Sequence, residues 1–308
     1  MKAWLIVNSY LNNLKFKTLY EMLENSMNNF GIGLEIKTGY EIARDLESMY
    51  RLKKELGKGA FPDFCIFWDK DIYLAEILEN QGLRLFNSKD AIEMTDNKIL
   101  TYLKLQREGI RIPKTYIPPK RFSPTDRSNY KLIEKIKSIF AFPLVLKEAY
   151  GSFGEQVYLI RDVQDLYRKL KEMGNREFLI QEFIRETRGR DVRVNVVGEK
   201  VVASILRENP NDFRSNITSG GKMKKYEPDK SFKDLALAAR RALGLDFAGV
   251  DILFGSDGPI ICEVNSNPHF YTTYQATGVD LSREIGLYIL KEMKKFKGGL
   301  YDKGNLDI

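Results

Sequence analysis

An α/β fold made of three lobes is what this sequence predicts, on three observations. Strand-like apolar runs alternate with runs of helical period across residues 1–95. The middle of the chain turns Pro-rich and then sets two strands around a Gly-containing loop, and the last third is dominated by β-branched runs joined by tight turns. Lobe boundaries are expected near 95 and 183, giving an α/β part over 1–95, a smaller strand–helix lid over 96–183, a mixed part over 184–296 and a flexible tail over 297–308.

In chain order, WLIVNSY reads as a strand and TLYEMLENSMNNFG as a helix ending at Gly31. GLEIKTG, FPDFCIFWD and LRLFNS are further strands, with the helix DIYLAEILEN between the last two. Ser88 is expected to cap a helix running through AIEMTDNKILTYLKLQREG, closed by Gly109 with Pro113 beyond. RIPKTYIPPKRFSP is a connection, YKLIEKIKSIF a helix, and FPLVLKEAYGSFGEQVYLI two strands flanking a loop. DVQDLYRKLKEMG and EFLIQEFI follow as helix and strand. RDVRVNVVGEKVVASILRE is a hairpin, NITSGGKMKK a loop, and a helix opens at Ser231. The strands AGVDILF and PIICEVN and the helix LSREIGLYILKEMKK complete the chain.

Composition narrows the chemistry. The 308 residues are 43% hydrophobic and 30% charged, with no apolar run near the roughly 20 residues that span a bilayer. The first residues read as a strand, not a leader, so a cytoplasmic location is expected. Two cysteines, Cys65 and Cys262, sit in apolar runs as buried free thiols. With a single histidine, His269, a Cys/His zinc site is excluded and a Ser-His-Asp triad would have to use that residue. The chemistry must run on carboxylates, lysines, arginines and backbone amides. The net charge of +7 suits an anionic partner, although helix faces mixing Lys, Arg, Glu and Asp account for most of it, which argues against nucleic acid.

The sharpest signal is AGVDILFGSDGPIICEVNSN. If its two runs fold back about Asp257, Asp251 faces Glu263, and Glu263 and Asn265 share that face; a one-residue bulge would change the register. Opposed carboxylates on an apolar hairpin repel, and a hard divalent cation with oxygen ligands relieves that cost. The alternatives are a solvated face or pairing of the acids with Lys or Arg. Lys147 lies within an apolar strand, as an edge lysine or an anion ligand, just before Gly151-Ser152-Phe153-Gly154, whose glycines let backbone N–H groups approach phosphate. Arg190, Arg193, Arg207 and Arg214 crowd a segment with Asp191 and Asn216; guanidinium binds phosphate and carboxylate bidentately, and Arg190 reads as a surface rim.

Taken in order, TDNKILTYLKLQREGIRIPKT, FPLVLKEAYGSFGEQVYL, FLIQEFIRETRGRDVRVNVVGEKVV, FRSNITSGG and LGLDFAGVDILF with PIICEVNSNP resemble the ATP-grasp superfamily, and within it the RimK-like carboxylate–amine ligases, from about Asn87 to Leu290. The resemblance implies an ATP-grasp fold with a pre-grasp α/β domain, ATP with two Mg²⁺ (or Mn²⁺) as cofactors, a carboxylate substrate and an amine acceptor, and a homo-oligomer. It implies that Lys98 and Lys147 hold phosphates with the Gly151, Ser152 and Gly154 loop, and that Gln181-Glu182-Phe183-Ile184 pairs with adenine. Asp191 would lie at the ribose, Arg214, Ser215 and Asn216 at the phosphate end, and Arg207 at an acyl phosphate, with Lys147, Arg207 and Arg214 as the catalytic cations. Asp251, Glu263 and Asn265 would hold the two ions, Glu263 being shared. The implied reaction joins an amino acid to an acidic small molecule, peptide or protein tail. A kinase-like phosphotransferase and a non-catalytic nucleotide-binding regulator are the alternatives. One departure stands out: where the family has small residues and Pro-Gly after the EVN segment, this chain has Ser266-Asn267-Pro268-His269-Phe270-Tyr271, which should reshape the acceptor site and puts the usual glutamate in question. His269 there is a packing residue or an aid to amine deprotonation, and the basic GGKMKKYEP segment favours an acidic partner.

Overall fold

The computed structural model describes residues 1–303 apart from positions 12, 44, 58, 153 and 216–219, with backbone alone from 297 to 303. The first lobe holds β1 (Lys2–Val7), α1 (Leu14–Asn29), β2 (Gly33–Thr38), α2 (Gly39–Ile42), α3 (Leu46–Leu56), β3 (Phe64–Trp68), α4 (Ile72–Asn80) and β4 (Leu85–Phe86). Its sheet is parallel throughout, in the order β2-β1-β3-β4. Because strand side chains alternate, Ala3, Leu5 and Val7 pack against α1 while Trp4 and Ile6 pack on the opposite side with Met49, Leu52 and Leu74. The short α2 and the helix α3, capped by Asp45, were not anticipated from the sequence; α3 buries only Met49 and Leu52, a weak apolar stripe.

The second sheet, β5-β8-β6-β7, is antiparallel and comprises β5 (Thr115–Tyr116), β6 (Leu144–Glu148), β7 (Val157–Ile160) and β8 (Phe178–Glu182). The helices α7 (Asp126–Lys137) and α8 (Val163–Met173) cover it. In α8, Leu166, Leu170 and Met173 recur at helical spacing and are buried against the sheet.

Preceding this sheet, the single helix expected after Ser88 is two: α5 (Lys89–Asp96) and α6 (Lys98–Arg107). Asn97 breaks it. Its backbone is extended, at φ −90° and ψ 107°, and its side chain accepts from the amides of Ile99 and Leu100, so a new helix starts there with Lys98 as its first residue.

The third sheet is β11-β10-β9-β12-β13, formed by β9 (Arg190–Val197), β10 (Lys200–Glu208), β11 (Lys222–Lys225), β12 (Phe247–Gly255) and β13 (Gly258–Asn265), all antiparallel. Part of the segment expected to be a loop is therefore an edge strand, since Lys222–Lys225 pairs with β10. The helix α9 (Lys230–Ala242) packs beneath this sheet and is capped by Asp229, not Ser231, because the Asp229 carboxylate accepts both the Ser231 and Phe232 amides. The chain closes with α10 (Tyr271–Thr277) and α11 (Leu281–Lys303). The latter returns to the first lobe, where Gly286 lies so close to Phe30 that an added Cβ would sit 2.6 Å from its ring. It also runs on into the stretch expected to be a flexible tail; side chains beyond Phe296 lie outside the described residues.

Alternation decides which side of the third sheet can do chemistry. Val192, Val194, Val196, Val250, Ile252 and Val264 point into the core over α9. The residues between them, Asp191, Arg193, Asn195, Asp251, Glu263 and Asn265, necessarily share the other face. No helix among the described residues is long and apolar enough to cross a membrane.

Candidate active site

The hairpin register expected from the sequence is present, for a reason the sequence did not reveal. Near the turn, Leu253 faces Ile260 and Gly255 faces Gly258, so the fold-back is centred between Ser256 and Asp257, not on Asp257. The register then shifts at Cys262, beyond which Asp251 faces Glu263 and Gly249 faces Asn265. The bulge corrects the displaced turn.

Asp251 does not confront Glu263 as a bare charge. Arg193 donates to it from Nε and Nη2, each at 2.7 Å, and Arg207 Nη2 approaches at 2.9 Å. Arg207 simultaneously grips Asp191 at 2.7 and 2.6 Å, and the Ser215 hydroxyl donates to the same carboxylate at 2.5 Å. Burial alone would push the Asp251 carboxyl up, but the two guanidinium groups outweigh it and hold it below the usual range. Arg207 is likewise opposed by burial and overruled by Asp191 and Asp251, which keep it firmly charged. The alternative of arginine pairing therefore holds for Asp251. Glu263 differs: its carboxylate is 37% exposed and its ion pair, with Lys98 Nζ, is 3.7 Å long. Asn265 donates weakly to the Gly249 carbonyl at 3.5 Å, which leaves its amide oxygen as an acceptor.

Lys147 and Lys98 enter from the second lobe. Lys147 is buried and donates to the Tyr102 hydroxyl at 2.9 Å and the Cys262 carbonyl at 3.3 Å. Tyr102 donates in turn to that carbonyl. Burial opposes the Lys147 charge, but Cys262, Tyr102 and Glu263 offset it and raise its pKa. Cys262 is half-buried on the wall of the cleft, and burial pushes its thiol up to about 11, so it stays protonated. Lys98 donates to the Gly151 carbonyl at 2.8 Å, and Arg214 donates to the Gly154 carbonyl at the same distance. Two cations thus clasp the ends of the loop, and the Ser152 hydroxyl takes a longer bond from Lys70 at 3.3 Å. Burial lowers the Lys98 pKa, and Glu263 partly restores it.

These groups line a narrow cleft of about 100 Å³ between the second and third sheets, with Gln181, Glu182, Phe183 and Ile184 along one side. The Gln181 side chain is occupied with Thr115, and Glu182 is the last residue of β8 in the ladder, so the backbone of Phe183 and Ile184 is outside any strand pairing. Arg190 lies over Phe254 at the exposed edge of the cleft, as the rim reading expects. Gly189 fixes the Asp212–Ser215 segment close by: at φ +71°, an added Cβ would fall 2.3 Å from the Asn209 carbonyl. Asn216 and Phe153 lie outside the described residues.

A second cavity, about 390 Å³, opens on the far side of Arg207 and Glu263, which line both spaces. Its walls come from the carboxyl ends of β1 and β3 (Asn8, Trp68, Asp69, Lys70), the first turns of α1 (Lys15, Phe16, Tyr20), and Arg193, Asn265 and the Asn267–His269 loop. That loop staples the lobes. Asn267 donates to the Asp69 carbonyl, Pro268 packs on Gly249 where an added Cβ would meet it at 2.7 Å, and His269 stands edge-on to Phe16 with Nε2 3.2 Å from the Lys15 carbonyl. Burial, with Lys15 nearby, lowers the His269 pKa to about 4, so it is neutral at physiological pH. Lys15, Asp69 and Tyr102 were given no site role from the sequence, and Arg193 was singled out only as a member of the arginine cluster. Only the strand ends and helix start that deliver them could have hinted at Lys15 and Asp69. A further cavity, about 490 Å³, lies along β7 and shares Val157, Phe213 and Arg214 with the cleft.

For a divalent cation, Glu263 and Asn265 present hard oxygens at the junction of the two cavities. Asp251 fits such a set once an arginine yields one of its oxygens.

Comparison with known proteins bears on the family and the fold. A family model described as the RimK-like ATP-grasp domain matches residues 95–289. The chain is 34% identical over 251 residues to the uncharacterized protein MG012 homolog of Mycoplasma pneumoniae, covering 80% of this chain and 84% of that protein. It is 34% identical over 221 residues to the probable alpha-L-glutamate ligase of Legionella pneumophila, 70% of each. Among solved structures it resembles the RimK domain ATP-grasp protein of Sphaerobacter thermophilus, with a TM-score of 0.70 at 18% identity over 94% of this chain and 99% of that one; at that identity the likeness speaks for the fold.

Proposed function

Because this chain belongs to the RimK-like ATP-grasp family and is an ATP-dependent ligase of the carboxylate–amine class, we propose that it joins an amino acid, through its amine, to the carboxylate of an acidic small molecule, peptide or protein tail. Members of this family use ATP and Mg²⁺. The observation that carries the reading is the pair of cavities meeting at Arg207 and Glu263: one has the cations and free strand end a nucleotide needs, the other the room and polarity for a second substrate.

In this reading Phe183 and Ile184 offer adenine a backbone that lies outside any strand pairing, with Gln181 and Glu182 fixing the strand that leads there and Asp191, locked by Arg207, bordering the ribose. Lys98, Lys147 and Arg214 exchange their present partners for phosphate oxygens beside Gly151, Ser152 and Gly154, with Ser215 at the phosphate end. Glu263, Asn265 and Asp251 would hold two Mg²⁺, whose chemistry would be to neutralise the phosphates. The substrate carboxylate oxygen attacks the γ-phosphorus, the bond to the β-phosphate oxygen breaks, and ADP departs. Arg207, charged and already rigid between two aspartates, faces the acyl phosphate so formed. The amine nitrogen then bonds to the acyl carbon, phosphate leaves with the C–O electron pair, and the nitrogen loses a proton. The acidic partner finds a matching surface on Lys222, Lys224 and Lys225 of β11.

The test is phosphate release from ATP over paired carboxylates and amines, with mass spectrometry of the products. Release that requires both substrates, with an amide product, supports ligation. A stable phosphorylated product with no amine present would make this chain a phosphotransferase instead, and ATP binding without turnover for any pair would make it a regulator.

A further inference from the structure

The second cavity carries charges of both signs on its wall. Lys15 and Arg193 stand close enough that the Arg193 charge, after burial, lowers the Lys15 pKa, with neutral His269 beside them. Asp69 lines the same cavity, 7% exposed, held by Asn8 Nδ2 at 3.0 Å and the Lys70 amide at 2.6 Å, both on Oδ1. No described cation forms an ion pair with Asp69. The Lys70 ammonium points away to Asp96 at 2.6 Å, and the charged residue that acts on Asp69 is another acid, Asp71. A buried carboxylate facing a cavity without a counter-ion invites a cationic ligand. The same wall carries the rings of Phe16, Tyr20 and Trp68, all at least nine-tenths buried, and Tyr20 is near enough to Asp69 to feel its charge. Beyond the mouth, Tyr10 and Tyr40 form an exposed edge-to-face pair joined by their hydroxyls, and Tyr10 is tied through its amide to Asn8.

We propose that this cavity binds the amine substrate as a zwitterion with an apolar, preferably aromatic, side chain: its ammonium on Asp69, its carboxylate on Lys15 and Arg193, and its side chain against Phe16, Tyr20 and Trp68. The inference rests on the ligase reading above and supplies the class of its amine. An acidic side chain would have to lie against three aromatic rings, with the remaining cations of the wall, Lys70 and Arg207, already paired to Asp96 and to Asp191 and Asp251, at the cost of desolvating a charge. A planar apolar group gains burial and ring contact in the same place. Asp69 also sits at the carboxyl end of β3, where parallel sheets bind ligands. A substrate held there approaches Glu263 and Arg207, at the floor of the same cavity, from the side opposite the nucleotide.

The experiment is calorimetric titration of the full chain, saturated with ADP and Mg²⁺, using four probes: L-phenylalanine, L-glutamate, 2-phenylethylamine and 3-phenylpropionate. L-Phenylalanine is expected to bind at least about tenfold tighter than each of the other three. Asp69→Asn, which keeps the shape and the Asn8 contact, should weaken L-phenylalanine and 2-phenylethylamine about tenfold and leave 3-phenylpropionate unchanged. Lys15→Met should do the converse. Tighter binding of L-glutamate than of L-phenylalanine, or Asp69→Asn and Lys15→Met failing to separate the two half-ligands, overturns the proposal. Neither result touches the ligase reading, which stands or falls on ADP binding and ATP turnover measured separately.

Discussion

The two cavities have walls that are made differently. The cleft proposed for the nucleotide is lined by charges that already have partners: Asp191 and Asp251 by arginines, Lys147 by Tyr102, Lys98 and Arg214 by loop carbonyls. The second cavity has Asp69 with no ionic partner among the described residues and a neutral histidine whose Nδ1 is buried without a hydrogen bond among them. A network that is satisfied in advance holds its geometry rigidly, which suits a cofactor common to a whole family. Groups left unsatisfied make a pocket discriminate, because only a ligand that completes them recovers the desolvation cost. The difference teaches where generality and specificity reside in this protein.

The strongest way to break that comparison is to remove charge from the cleft. Lys147→Ala or Glu263→Ala should reduce ATP turnover by about 10²–10³. Glu263→Ala should leave the melting temperature near that of the parent, because its carboxylate is half-exposed and carries one long ion pair. Turnover close to the parent's in either variant would remove these residues from the reaction. Next in size is Arg193→Met, which strips two of the three bonds from a buried carboxylate; about 2–4 kcal/mol of stability should be lost, read by chemical denaturation. Magnesium should restore part of that loss by taking the place of the guanidinium on Asp251.

The third test concerns pH. The His269 pKa falls from 6.5 in the unfolded chain to about 4 in the fold. A group depressed in this way favours folding fully above pH 6.5, and its contribution disappears as pH drops from 6.5 to 4, because the unfolded chain then binds the proton first. The stability of the parent should therefore fall relative to His269→Gln over that window, by of order 2–3 kcal/mol. Between pH 7 and 8 the two should show parallel rate profiles, since the ring is neutral throughout; a distinct inflection lost in the variant would give His269 a role in proton transfer. The smallest effect is expected from Asn97→Ala, about 1 kcal/mol for the lost helix cap, with a rise in the KM for ATP because Lys98 is the residue that cap positions.

Much of this molecule was legible before any coordinates. The apolar periodicity located most of the strands and helices, and the order of the TDNK, FPLVLKE, RDVRVNV and EVN segments was enough to identify the family. What escaped was what a chain cannot encode locally. A one-residue bulge at Cys262 and a turn displaced toward Ser256 cancel each other, so Asp251 and Glu263 pair although the turn was expected on Asp257 and a bulge was weighed only as something that would spoil the register. The break at Asn97 was hidden because Asn is tolerated within a helical period and declares itself a cap only through its backbone angle.

By itself, then, the sequence determined the alternation of polar and apolar positions along β9, β12 and β13, and hence that their carboxylates and arginines share one face, because side-chain direction in a strand is fixed by local covalent geometry. The tertiary structure alone decided that Arg193 and Arg207 share Asp251, and that Lys15, Asp69 and His269, separated by as much as most of the chain, enclose one cavity. The first depends on the pairing registers of β9, β10 and β12, the second on how the first lobe docks on the third sheet through Asn87 and Asn267; long-range docking is set by the packing of whole surfaces, which no stretch of residues specifies on its own.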